Sequence, residues 1–359
     1  MNQDVAPDFI LHGEPNDSIN SLAHGLTDVL IAHGYNYEPN SYAPGLVLNF
    51  IKQEKPAAYR RRSQATFVIS LIELHVEPDD PIRVLYPYLV RSLSNMLLVY
   101  IPKKKKIHFL TLDLGHYVEF DGDEFFKRIF LRIHPMASST LIVNNRFEPD
   151  LPPELWQGDE LTQSLSEAGK KLSELNLLPA PFPIHEILSA DDLYHVNRLY
   201  GIGGLSYGNL SVRKDRKRFW MSASGVDKGN LKEIGRDILL VKDYDPSGQA
   251  IVVSVPPGKE VRRVSVDAIE HWMIYHEHPA VEAISHIHAW MDGVPSTLFH
   301  FPCGSKQLAE AVAEKVRTST DYPTTVVGLR NHGLTITGRS LADIFERIEG
   351  RIIRTVPMT

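Results

Sequence analysis

The sequence predicts an α/β protein in two parts, an α+β domain over residues 1–180 and a strand-rich second domain over residues 181–359. Three observations lead there. Stretches with helical spacing alternate with short β-branched or aromatic runs along the whole chain. The segment Leu178-Pro-Ala-Pro-Phe-Pro183 forbids continued helix and favours an extended linker, which marks the seam. A length of 359 residues is long for one domain and comfortable for two.

In the N-terminal part, Ser18 to His33 and Pro81 to Met96 read as helices, and Gly45 to Ile51 and Ala65 to Leu74 as strands. Lys106 to Leu112 and Tyr117 to Phe120 pair as a hairpin around Asp113-Leu-Gly115, and Asp123 to Arg132 returns as helix. The acidic group Asp121, Asp123 and Glu124 suits a helix start, where the macrodipole favours negative charge, better than it suits a metal. Glu160 to Leu177 spaces Leu161, Leu165, Ala168, Leu172 and Leu175 along one helical face. Past the seam, Asp191 to Tyr200 is a helix, followed by strands at Leu210 to Arg213, Arg218 to Ser222 and Ile238 to Lys242. Helix is expected over Val266 to His278, Ser305 to Arg317 and Ser340 to Arg354; strand over Val281 to Ala289, Thr324 to Leu329 and Leu334 to Thr337.

Composition narrows the function classes. The chain is 43% hydrophobic and 23% charged, with net charge -6, which lacks the basic footprint of a nucleic-acid binder. The basic clusters Arg60 to Arg62 and Lys103 to Lys106 read as solvated turns. A single cysteine, Cys303, excludes an intramolecular disulfide and a multi-thiolate metal cluster, and fits a reducing compartment. The N-terminus is polar, unlike a secretory signal, and the apolar stretch Val84 to Ile101 is interrupted by Pro87, Arg91 and Asn95. The expectation is a cytoplasmic, soluble protein with no nucleic-acid or membrane partner.

Chemistry concentrates in the second part. In Ala283-Ile-Ser-His-Ile-His-Ala289, residues two apart on a strand face one side, so His286 and His288 project together. That is a pair of nitrogen ligands for a divalent cation. His332 lies in Arg330-Asn-His-Gly333 between two apolar runs, with a glycine giving room for close backbone approach. Its 44-residue separation from His288 says nothing by itself. The run Gly201-Ile-Gly-Gly-Leu-Ser-Tyr-Gly-Asn209 is not a dinucleotide fingerprint, since no strand precedes it and the third glycine is missing.

From about Leu188 to Arg354 the chain resembles the class II aldolase/adducin family. The segments that carry the resemblance are Gly208-Asn-Leu-Ser-Val-Arg213, Ser222-Ala-Ser-Gly-Val-Asp-Lys228, Asp237, Ser285-His-Ile-His-Ala289 and Leu329-Arg-Asn-His-Gly333, in the family's order. The resemblance implies an α/β/α sandwich with a mainly antiparallel sheet, commonly in a homotetramer. It implies that His286, His288 and His332 bind a divalent metal, Zn2+ first, with Mn2+ or Fe2+ as alternatives. Gly208, Asn209, Ser224, Gly225 and Ser265 match positions that cradle a substrate phosphate or carboxylate. Asp267 stands where the family places its acid/base glutamate, one methylene shorter, and Glu270 lies about a turn further along.

The function implied is a metal-dependent carbon–carbon lyase, of aldolase or decarboxylase type. It would act on a small hydroxy-carbonyl or keto-acid through a metal-stabilised enediolate. Three departures point away from a standard sugar-phosphate aldolase: a shorter segment between His288 and Ser305, an end five residues past the expected closing helix, and Val266 in place of a second phosphate-binding serine. A non-haem iron oxygenase using Asp267 with His286 and His288, and a non-catalytic adducin-like interaction module, are the alternatives.

Overall fold

The computed structural model describes every residue except 1–6, 64, 113–114, 180–183 and 201–205. Asp113 and Leu114 of the expected hairpin turn, most of the proline seam and Gly201 to Leu205 therefore lie outside the described residues. The chain divides into two compact units, one of residues 1–138, 183–202 and 358–359, the other of residues 139–182 and 203–357.

The first unit is a seven-stranded sheet with helices. In chain order it comprises β1 (Asp8–His12), α1 (Asp17–Ala32), β2 (Asn36–Tyr37), β3 (Leu46–Phe50), β4 (Phe67–Glu73), α2 (Pro81–Arg91), β5 (Met96–Ile101), β6 (Lys106–Thr111), β7 (His116–Phe120) and α3 (Phe125–Ala137). The strand order is β2-β1-β3-β4-β5-β6-β7, parallel from β2 to β5 and antiparallel from β5 to β7. The expected α+β arrangement is thus corrected to a mixed sheet with a parallel core. The sequence concealed this because β1 is short and buries only two adjacent residues, Phe9 and Ile10, leaving no alternation to read. The helix expected over 81–96 stops at Arg91 because Leu93 takes a left-handed φ of 52°, and the apolar run from Met96 becomes a buried strand.

The second unit begins with β8 (Asn144–Glu148) and α4 (Glu160–Glu174). Two helices of the first unit intervene, α5 (Ile184–Ile187) and α6 (Ala190–Tyr200). Then follow β9 (Asn209–Arg213), β10 (Phe219–Ser222), β11 (Ile238–Asp245), β12 (Ala250–Ser254), α7 (Ala268–Glu277), β13 (Ala283–Ile287), α8 (Lys306–Arg317), β14 (Val326–Leu329), β15 (Gly333–Gly338) and α9 (Leu341–Ile348). Residues 139–182 fall on this side of the expected seam because β8 completes the sheet beside β12, and α4 packs on β9 and on the 3-10 turn at Lys228–Asn230.

The sheet runs β14-β15-β13-β9-β10-β11-β12-β8. Neighbours pair antiparallel from β14 to β12, as expected of this half, and β8 adds one parallel edge, which makes the sheet mixed. Helices cover both faces. Ser211 of β9 points toward α7, where its hydroxyl meets His271 Nδ1 at 2.7 Å and Tyr275 OH at 2.8 Å. Its neighbour Val212 faces α4 and α9 instead, as strand alternation requires. The closing helix, expected to Arg354, ends at Ile348 shortly before Gly350, which has a φ of 75°. Among the described residues no helix is long and apolar enough to cross a membrane.

Candidate metal centre

Strand register assembles the site. His286 lies on β13, flanked by Asn209 of β9 on one side and Thr335 of β15 on the other. His288 follows one residue after the strand ends, on the same side as His286, with its ring 5.4 Å from that of Tyr207. His332 sits in the tight turn joining β14 to β15, just after Asn331, whose φ is 59°. A Cβ on Gly333 would lie 2.2 Å from the Ile287 carbonyl oxygen, so glycine there lets the turn close against β13.

The three imidazoles converge, with one ligand nitrogen from each lying within 4.8 Å of the others. The His286 and His332 rings stack nearly parallel, and their Nε2 atoms are 3.1 Å apart. Two nitrogens on one tetrahedral zinc, at about 2.0–2.1 Å each, stand about 3.3 Å apart, so the spacing fits a shared ion. His286 Nδ1 donates to the Leu334 carbonyl at 3.1 Å, which leaves the Nε2 lone pair toward His332. Burial, reinforced by His332, pushes His286 well below the usual histidine range, so it stays neutral, the form a metal requires.

Asp267 is the N-cap residue of α7, yet its carboxylate makes no capping hydrogen bond. It accepts instead from Asn209 Nδ2 at 2.7 Å, and both residues are buried. With that amide orientation Asn209 Oδ1 is left a buried acceptor without a protein partner. Glu270, given no role by the sequence, is buried one turn along. Thr335 donates to its Oε1 at 2.5 Å, while Oε2 has no hydrogen-bond partner. Burial first, and then the Asp267 charge, raise the Glu270 carboxyl far above the ordinary range and favour its protonated form.

The expected anion-cradling residues lie around the start of β9 and the turn that follows β10, both central strands of the sheet. Gly208 has a φ of 72°, and a Cβ there would lie 2.4 Å from the His286 carbonyl oxygen. The Leu210 N–H donates to Ser222 Oγ at 3.2 Å, bringing the end of β10 against the start of β9. Just beyond, the Ser224 N–H donates to the Arg263 carbonyl, and an Ala223–Val264 bridge draws Ser265 alongside. Gly225 has a φ of 70° with open space where a Cβ would stand.

Besides Glu270, two further residues at the site were given no role there from the sequence. Cys303 Sγ lies 3.2 Å from His332 Nε2. Its solitary position between the histidine pair and the third histidine was the available signal. Lys228, the last residue of one resemblance-carrying segment, is 3% exposed and close enough to Asp267 and His286 to act on both electrostatically.

Residues 192–298 match the family model of the Class II Aldolase and Adducin N-terminal domain, which bears out the resemblance of the C-terminal half. Among individual proteins, the chain is 29% identical over 175 residues to a methylthioribulose-1-phosphate dehydratase from Citrobacter koseri, an alignment covering 40% of this chain and 78% of that protein. A crystal structure of L-fuculose-1-phosphate aldolase from Thermus thermophilus aligns at 18% identity and a TM-score of 0.34, over 52% of this chain and 86% of that one. The N-terminal class II aldolase domain of a Thermoplasma acidophilum protein aligns at 14% identity and a TM-score of 0.35, over 57% and 93%. The family match and the dehydratase relative support a metal-dependent, lyase-type function in broad terms, without restricting it to carbon–carbon bonds.

Proposed function

We propose that this protein is a divalent-metal-dependent lyase acting on a small, anionic hydroxy-carbonyl compound, with its centre in the second unit. The observation that carries the reading is the convergence of His286, His288 and His332 near a buried carboxylate, Asp267, that Asn209 holds in place. A bound divalent ion, Zn2+ first and Mn2+ or Fe2+ as alternatives, supplies a Lewis acid for a substrate carbonyl. Asp267 takes a proton from the substrate and returns it. Protonated Glu270 leaves the interior beside Asp267 without a second negative charge. Gly208, Asn209, Ser224, Gly225 and Ser265 hold the anionic end through backbone N–H groups and small hydroxyls.

The bond that breaks is carbon–carbon, in aldol cleavage or decarboxylation, or carbon–oxygen, in loss of water. The named relative is a dehydratase, which keeps loss of water among the chemistries to be tried. The reading includes a homo-oligomer, tetrameric by family likeness, and a cytoplasmic location; light scattering and fractionation test these.

The central test is metal analysis of the purified protein, followed by incubation with a panel of ketose 1-phosphates, aldonates and β-keto acids. Bound divalent metal with chelator-sensitive product formation supports the lyase. Ferrous iron with substrate-dependent oxygen uptake overturns it in favour of an oxygenase, and a folded, metal-free protein favours an interaction module.

A further inference from the structure

The first unit holds a buried polar network that has no part in the metal centre. His12 and Asn49 are register partners on the parallel neighbours β1 and β3, and His12 Nδ1 lies 2.8 Å from Asn49 Oδ1. Asn49 Nδ2 donates to the Ala57 carbonyl and to Ser70 Oγ, each at 3.0 Å. Ser70 Oγ is 2.6 Å from Ser94 Oγ, which meets Ser92 Oγ at 3.1 Å. Asn49, Ser70, Ser92 and Ser94 are all 0% exposed. Replacing both partners of a buried hydrogen bond by apolar groups is close to neutral, so the fold alone does not call for this chain. Its value lies in what it fixes.

The network has one direction. A carbonyl only accepts, so the Ala57 carbonyl turns Asn49 Nδ2 toward itself and Oδ1 toward His12. His12 therefore carries its hydrogen on Nδ1, which leaves the Nε2 lone pair pointing away from the network. Donation from Nδ1 to a fixed acceptor strengthens Nε2 as an acceptor in turn. Among the described residues Nε2 has no hydrogen-bond partner, and the ring is exposed beside Tyr59, 5.1 Å away between centroids.

The pair stands where the strand order reverses. From β1 the chain runs through α1 to β2 on one side; from β3 it runs to β4 and, through α2, to β5 on the other. Leu22 and Leu26 of α1 share a core with Ile69 and Leu71 of β4, whereas Ser70 between them points to the opposite face, toward Ser92 at the end of α2. In such sheets small ligands bind at the carboxyl ends of the strands beside the reversal, and His12 is the last residue of β1. Residues 51–62, which supply Ala57 and Tyr59, hold five cations, Lys52, Lys55, Arg60, Arg61 and Arg62, against one carboxylate, Glu54. Glu14 and Asp17 lie at the start of α1, so an anionic group is drawn to the 51–62 side and away from that helix end.

We propose that this edge of the first unit is a second ligand site, for the phosphate monoester of a hydroxylated sugar. A sugar hydroxyl donates to His12 Nε2, and the phosphate lies in the field of residues 51–62. A neutral imidazole acceptor needs a donor, which a bare phosphate dianion lacks, and the cationic segment needs an anion; a sugar phosphate supplies both. The site is independent of the metal centre and goes beyond the lyase reading.

The test is calorimetric titration of ribose 5-phosphate, adenosine monophosphate and inorganic phosphate into the full-length protein and into His12→Phe. At least one of the two esters should bind wild type more tightly than inorganic phosphate, and which one does so tells a free sugar phosphate from a nucleotide. H12F should weaken that ester about tenfold, the upper range for one neutral hydrogen bond, and leave inorganic phosphate unchanged. Ester affinity should also fall as salt is raised. Esters that bind no better than inorganic phosphate, or an H12F that weakens all three alike or none, overturn the proposal. His286→Ala should keep the His12-dependent binding, and its loss there would place the ester at the metal centre instead. Nitrogen-15 spectra of labelled wild type give a reading without ligand: the neutral His12 ring should carry its hydrogen on Nδ1, and a hydrogen on Nε2 overturns the assignment.

Discussion

Asn209 donates its side-chain amide to Asp267 at 2.7 Å while its backbone stands opposite His286 in the sheet. One residue thus ties the carboxylate to the strand that carries the histidines. Replacing Asn209 by Ala should cost about 1.5–3 kcal/mol in urea unfolding, the range for a hydrogen bond to a charged group. Asp267→Asn should retain metal while lowering turnover about 10²–10⁴-fold on the substrate that the panel identifies. Unchanged turnover would remove Asp267 from proton transfer.

Metal should stabilise the fold. An ion at about 100 times its dissociation constant adds about 2.7 kcal/mol, so chelation should lower the melting temperature measurably. His286→Ala should abolish both stoichiometric metal and the chelator-sensitive shift. Persistence of the shift would refute the ligand assignment.

His271 predicts an acid limit. Burial pushes it from 6.5 to about 3, with His286 adding to the shift and Asp267 opposing it. The unfolded chain therefore takes up a proton below pH 6.5 that the native state refuses. Its stability contribution is intact above 6.5 and is lost as pH falls from there toward 3, at about 1.4 kcal/mol per pH unit. His271→Gln should flatten the dependence of unfolding free energy on pH between 6 and 4 by up to one proton. An identical slope would contradict the burial argument.

Gly208→Ala meets two obstacles, the left-handed φ of 72° and the His286 carbonyl 2.4 Å from the new Cβ. The expected loss is about 1–3 kcal/mol, with metal content falling as β9 is pushed from β13. Denaturant midpoint and metal analysis check this together.

The sequence made the His286 and His288 pair legible because strand periodicity alone aligns them. His332 was legible only by resemblance, since the turn that returns it depends on β15 pairing beside β13, a contact no local pattern encodes. The helix bearing Asp267 was expected from Val266 and begins at Ala268, close enough to place the carboxylate. Glu270 and Lys228 escaped assignment for a shared reason. Each draws its significance from burial, and a charged side chain in a sequence gives no sign that water has been removed from it. In the N-terminal half, β1 was missed because its buried pair is adjacent, and β8 because Phe147 is its one apolar residue and it joins a sheet whose other strands lie at least 60 residues further along.

Gly333 and Gly208 both permit backbone to press against β13, one at Ile287 and the other at His286. The histidine strand is therefore clasped from both neighbours at the residues that carry the ligands. The 289–304 connection reaches the third ligand instead: Cys303 Sγ lies 3.2 Å from His332 Nε2 and the Arg330 N–H donates to Thr297 Oγ1, so drift in that stretch is felt at the turn that presents His332 while the clasped strand stays put.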